Sequence, residues 1–133
     1  MGRARILLAD DQPEILARVA RLLEQEFDVV GAVSNGQSVI DAVPRLNPDL
    51  LVLDISMPVL NGLEAAKRLQ ELVPKPRVVF LTVHNEPDIV EAAFKAGASG
   101  YVSKIEILSD LLPAVRKVLA GHTFVSELNG HQR

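Results

Sequence analysis

The stretch PDLLVLD, Pro48 to Asp54, carries four consecutive apolar residues between two aspartates, so a strand made from it is buried on both faces. Such a strand belongs at the centre of a parallel sheet covered by helices, and parallel neighbours need crossover connections of about a dozen residues or more. The rest of the chain supplies them. Short β-branched or leucine-rich runs alternate with segments of helical period in five βα units.

The first strand reads as Arg5 to Ala9, followed by a helix from about Pro13 to Glu26 with Ile15, Val19, Leu22 and Leu23 at helical spacing. Phe27 to Val33 is the second strand, and SNGQ turns the chain into a helix that Pro44 weakens near its end. After PDLLVLD and the loop ISMPVLNG, a third helix carries Leu63, Ala66, Leu69 and Val73. RVVFLT is the fourth strand, and its helix runs from about Glu86 to Ala96. Tyr101 to Lys104 closes a short fifth strand. The last helix, about Leu108 to Ala120, is expected to tolerate Pro113 only in its first turn. The tail HTFVSELNGHQR has no strong periodicity and is expected to fray.

Bulk properties narrow the chemistry. The 133 residues suit one domain, and the absence of cysteine excludes a disulfide framework, thiolate chemistry and a cysteine zinc site. Apolar runs stay far below the roughly 18 residues of a membrane span, and MGRARILL does not read as a signal peptide because it leads into Asp10 and Asp11. With a net charge of -3 and no basic block, this segment is not expected to bind nucleic acid directly or to engage a membrane.

In open α/β sheets ligands bind beyond the carboxyl ends of the strands, which makes those ends the residues to inspect. The first strand ends in Asp10 and Asp11, the third in Asp54, the fourth in Thr82, and the fifth in Ser103 and Lys104. Three carboxylates packed together repel, and a divalent cation is the simplest way to keep them charged. Oxygen ligands in small number suit Mg²⁺, which keeps open positions for a phosphate oxygen. Lys104 would pair with that phosphate as a point charge and the Thr82 hydroxyl would bond another oxygen. A carboxylate can also be the nucleophile, forming an aspartyl phosphate. Asp54 is the best placed, because it ends the central strand while adjacent Asp10 and Asp11 are suited to holding metal together.

Each residue has a plainer reading. Asp10 or Asp11 is a candidate cap for the first helix, Asp54 a turn residue, Thr82 an ordinary strand residue and Lys104 a solvated charge. Those separate readings do not account for all of them sharing one sheet edge. His84, His122 and His131 read as surface residues, with His84 placed two positions past Thr82 to face the site entrance. Tyr101 reads as core packing with its hydroxyl reaching solvent.

Taken together, the acidic pair after the first strand, LDISMPVLNG around Asp54, LT ending the fourth strand and GASGYVSK ending the fifth resemble the receiver domain of two-component response regulators. The resemblance covers residues 4–121 as a receiver domain and leaves 122–133 as a C-terminal tail or the start of a linker. It implies a doubly wound, flavodoxin-like (βα)5 three-layer sandwich with strand order 2-1-3-4-5. It further implies that Asp54 accepts phosphate from the phosphohistidine of a sensor histidine kinase. Asp10, Asp11, Asp54 and the backbone carbonyl of Ser56 would bind Mg²⁺, Thr82 and Lys104 would contact the phosphoryl group, and Thr82 and Tyr101 would be the switch pair. The surface of the fourth helix, fifth strand and fifth helix would report the change, with a phosphorylation-dependent homodimer as one outcome and Val90 and Phe94 as candidate contacts.

Ile105 stands where the family commonly has proline, which argues against the cis peptide usual there. GYVSK followed by a helix and AGHTFVS resembles the subfamily whose receivers precede a LuxR/NarL-type helix-turn-helix domain, implying transcription regulation in the cytoplasm. The sequence leaves open whether this receiver acts alone or with an output domain. On this reading the chain is a phosphoacceptor and not a turnover enzyme. A phosphohydrolase would typically need a second acid two residues after its nucleophile, where Ser56 stands. A flavin or nucleotide carrier would need a phosphate loop and stacking aromatics. A degenerate receiver would lack part of the residue set present here.

Overall fold

The computed structural model describes residues 2–127. Six strands alternate with five helices: β1 (Arg5–Ala9), α1 (Pro13–Leu23), β2 (Asp28–Val33), α2 (Gly36–Leu46), β3 (Leu50–Leu53), α3 (Gly62–Leu69), β4 (Arg77–Thr82), α4 (Pro87–Lys95), β5 (Gly100–Ser103), α5 (Ile107–Leu119) and β6 (Phe124–Val125). A 3-10 turn over Lys104–Glu106 links β5 to α5. The strand order is 2-1-3-4-5-6, and every neighbouring pair is parallel.

Alternate residues of a strand point to opposite faces, and the two halves of the core follow from this. Leu7, Leu51, Leu53, Val78, Phe80 and Tyr101 pack with Val39 and Val43 of α2, Ala66 and Leu69 of α3 and Ala93 of α4. Ile6, Leu8, Leu50, Val52, Val79, Leu81 and Val102 pack with Val19 and Leu23 of α1 and Leu111, Val115 and Val118 of α5. Leu50, Leu51 and Leu53 are fully buried, as the apolar run requires. Val90 and Phe94 are half-buried against the sheet.

Two helices begin on asparagine caps. Asn35 Oδ1 accepts from the Ser38 N–H at 2.8 Å, and Asn61 Oδ1 accepts from the Glu64 N–H at 2.9 Å. Neither Asp10 nor Asp11 caps α1, whose N-cap is Gln12; Asp10 Oδ1 instead accepts from the Gln12 N–H at 2.9 Å. Those carboxylates are therefore left for another use.

The structure corrects the expectations for the third helix, the fifth helix and the tail. α3 ends at Leu69, and Val73 lies outside it and exposed. α5 runs through Pro113 well beyond its first turn. Burial of Leu111, Ala114, Val115 and Val118 carries the helix past the missing donor, and exposed Ser109 leaves the orphaned carbonyl access to water. The tail does not fray directly after α5: Phe124 and Val125 add β6 beside Gly100 and Tyr101 of β5. A two-residue strand is too short for a period to reveal it. Residues 128–133, with His131, lie outside the described residues. Among the described residues the cis peptide is Val73–Pro74, so Lys104–Ile105 is trans.

Candidate functional site

The backbone ladder brings the acidic strand ends together. The Asp54 N–H donates to the Ala9 carbonyl at 2.9 Å, and the Asp10 N–H donates to the Val33 carbonyl at 3.1 Å. Asp10 and Asp54 thus leave adjacent strands at one edge with only 3% and 4% exposure. Asp11 beside them is exposed. One carboxylate oxygen from each of the three lies within 4.8 Å of the others.

Lys104 enters from the end of β5. Its Nζ lies 2.8 Å from Asp10 Oδ2 and 3.3 Å from Asp54 Oδ2, and it donates to Gln12 Oε1 at 3.1 Å. The plainer reading of Lys104 as a solvated charge is thereby overturned, because its side chain is only 8% exposed. Asp54 Oδ1 accepts from the Ile55 N–H at 2.8 Å. Asp10 Oδ2 is buried, and its partner is the Lys104 ammonium. Three carboxylates within 4.8 Å of one another, with a single ammonium between two of them, fit a hard divalent cation.

Electrostatics agree with the packing. Burial pushes the Asp54 carboxyl above its usual range; the Lys104 ammonium opposes this, the Asp10 carboxylate adds to it, and the Ile55 N–H opposes it. The Tyr101 phenol is pushed up to about 12, first by burial and then by the charges of Glu86 and Asp54.

Thr82 and Tyr101 meet through one residue. Thr82 Oγ1 accepts from the His84 N–H at 3.4 Å, and the Tyr101 hydroxyl donates to the His84 carbonyl at 2.8 Å. Tyr101 is fully buried, so its hydroxyl does not reach solvent as a simple core reading expects. His84 Nε2 lies 2.8 Å from Ser56 Oγ, joining the segments that follow Thr82 and Asp54, and its Nδ1 lies 3.8 Å from Glu86.

Sequence reasoning missed Gln12, the Ser56–His84 pair and Gly62. Gln12 directly follows the acidic pair, but nothing in its type marks it as a partner of a lysine 92 positions away. At Gly62 a Cβ would sit 2.0 Å from the Asp54 carbonyl oxygen, because the Gly62 N–H donates to the Ile55 carbonyl at 2.7 Å and brings the backbones into contact. Gly62→Ala is expected to cost about 1–3 kcal/mol by overpacking and to displace Asp54. Chemical denaturation reads this loss, and Gly2→Ala, with open space around it, should leave the midpoint unchanged.

Comparison with known proteins places this geometry. The family described as response regulator receiver domain matches residues 6–116. The chain is 40% identical over 126 residues to the nitrate/nitrite response regulator protein NarL of Escherichia coli, covering 93% of this chain and 58% of that protein. It thus spans little more than half the length of such curated relatives. Among solved structures, a LuxR-family two-component response regulator from an Aurantimonas species superposes with a TM-score of 0.87 at 30% identity, covering 92% of this chain and 89% of that one. The non-phosphorylated receiver domain of the stress response regulator RcsB from Escherichia coli gives 0.86 at 28% identity, covering 95% and 100%.

Proposed function

Because the chain belongs to the response regulator receiver domain family, of the NarL/LuxR type, we propose that Asp54 is its phosphoacceptor and that the fold is a phosphorylation switch. The observation that carries this is the Lys104 ammonium bridging the buried carboxylates of Asp10 and Asp54, with the Asp11 carboxylate beside them. One ammonium against three clustered carboxylates leaves negative charge for a divalent cation to offset as an anionic phosphoryl group arrives.

In the reaction an Asp54 carboxylate oxygen forms a bond to phosphorus as the N–P bond of a kinase phosphohistidine breaks and the imidazole leaves with its electron pair. Catalysis is positioning and charge neutralisation. Lys104 Nζ, held between Asp10 and Asp54, is placed to pair with a phosphoryl oxygen, and the Thr82 hydroxyl with another. Asp10, Asp11, Asp54 and the Ser56 carbonyl would hold Mg²⁺, which when bound supplies positive charge to the carboxylates and the phosphoryl oxygens.

Output follows from the link between Thr82, His84 and Tyr101. A hydroxyl drawn toward phosphate releases the His84 N–H, and the same residue's carbonyl holds the Tyr101 ring. The surface of α4, β5 and α5 reports that movement as a population shift. On this reading the partner is a sensor histidine kinase, the compartment is the cytoplasm, and the chain is a phosphoacceptor and not a turnover enzyme. Regulation of transcription through an output domain is proposed from the NarL likeness.

Incubation with acetyl phosphate tests the reading. Intact mass should rise by one phosphoryl group in Mg²⁺ and stay unchanged in EDTA. No increment in Mg²⁺ would sink the phosphoacceptor assignment.

A further inference from the structure

Beyond α5 the chain returns to the sheet beside the strand that carries the site lysine. The Phe124 N–H donates to the Ser99 carbonyl at 3.1 Å, and the Ser126 N–H donates to the Tyr101 carbonyl at 2.8 Å. Ser126 is 2% exposed. Its hydroxyl donates to Asp110 Oδ2 at 2.6 Å and accepts from the Ser103 N–H at 3.1 Å. With its single proton committed to Asp110, the serine turns a lone pair on the last amide of β5. The next residue is Lys104.

We propose that Ser126, anchored by Asp110, is a positioning residue for Lys104, and that the Phe124–Ser126 strap is energetically coupled to the state of Asp54. The proposal rests on Asp54 being the phosphoacceptor. The mechanical path is short. Ser103 ends β5, Lys104 opens the 3-10 turn into α5, and Asp110 lies on α5. Ser126 ties the two flanks of that turn together and so sets where the Lys104 backbone starts its reach. Lys104 Nζ meets Asp10 at 2.8 Å and Asp54 at 3.3 Å, so a small shift of its Cα opens contacts that depend on distance. Removing the Ser126 hydroxyl leaves a buried N–H and a carboxylate oxygen short of a partner, which the strand end relieves by moving.

Coupling of this kind is reciprocal. A phosphoryl group that draws Lys104 toward itself changes the strand end to which the strap is bonded. The site and the strap are thus joined through one serine. The strap also covers the β5 edge, whose N–H and C=O groups would otherwise stand unpaired.

The test compares phosphoryl transfer from acetyl phosphate, followed by intact mass, in the wild type, Ser126→Ala, Asp110→Asn and Leu119→Ala. Leu119 packs half-buried on the same side of the sheet, at the end of α5 away from the site, and controls for lost stability alone. Ser126→Ala should label about 5- to 10-fold more slowly than Leu119→Ala. Asp110→Asn keeps an acceptor for the serine and should label close to the wild-type rate. Where Ser126→Ala does not fold, Asp110→Ala removes the same anchor from the helix side. Ser126→Ala labelling no more slowly than Leu119→Ala overturns the positioning role.

Amide exchange of Phe124 and Ser126, measured before and after labelling of the wild type, reads the coupling. It should change by about 5-fold or more, whereas exchange unaltered by labelling overturns it. Wild type that takes no phosphoryl group in Mg²⁺ refutes the phosphoacceptor reading and this proposal with it, an outcome distinct from the other two.

Discussion

Asp54→Asn is expected to abolish the phosphoryl increment in intact mass while raising the thermal midpoint of the metal-free chain. The first effect follows from replacing the only nucleophile that ends the central strand with a neutral amide, which offers no carboxylate oxygen to phosphorus. The second follows from burial. An acid held above its usual range in the folded chain favours the native state only while it carries its proton. That contribution is present below the unfolded value, near 3.8, and is lost as pH climbs through the raised folded value. At neutral pH the ionised Asp54, 4% exposed beside Asp10, therefore works against the fold. The amide removes this penalty and leaves Lys104 paired with Asp10 at 2.8 Å. A rise of about 2–5 °C is expected at pH 7 in EDTA, shrinking toward pH 3. Thermal unfolding across that range checks it. A variant less stable than wild type at every pH would contradict the electrostatic account, and a retained increment would move the phosphoacceptor to Asp10 or Asp11.

Lys104→Ala should act in the opposite direction on stability and in the same direction on chemistry. Without the ammonium, Asp10 and Asp54 face each other with no paired cation among the described residues, and the main influence lowering the Asp54 pKa disappears. Breaking a buried charge pair from one side leaves uncompensated charge, here about 3 kcal/mol in metal-free buffer at neutral pH. Acid should reverse part of the loss by protonating the carboxylates. Addition of Mg²⁺ should restore more stability to the variant than to the wild type, because a bound cation stabilises by mass action and now also replaces the lost charge. Phosphoryl transfer from acetyl phosphate should slow by about 100-fold or more, the usual consequence of removing a preorganised charge from a reacting centre. Denaturant titration with and without Mg²⁺, beside the mass assay, reads both effects. A variant as stable and as fast as the wild type would show that Lys104 only happens to rest between the aspartates.

The succession of β1 to β5 along the chain and the placement of Asp10, Asp54, Thr82 and Lys104 at strand ends were legible in the sequence, while the sheet order was implied only by the family resemblance. Apolar runs of four to six residues ending in polar ones mark strand ends directly, so β1 and β4 were recognisable to the residue. Helix limits were less so. α1 stops at Leu23, three residues short of the expected Glu26, since the chain must turn to enter β2. α5 overrides Pro113 through burial, a tertiary term that propensity does not contain.

What the sequence determined by itself was periodic and local: an alternating α/β chain, a doubly buried central strand, and carboxylates gathered where such a sheet binds ligands. What only the tertiary structure decided was which groups touch. Lys104 reaching Gln12 across 92 positions, His84 reaching Ser56 across 28, Gly62 against the Asp54 carbonyl and Ser126 on Ser103 all depend on strand register and loop path. No local pattern encodes those distances, because they arise when separate segments dock on a common core and their remaining polar groups must find partners there.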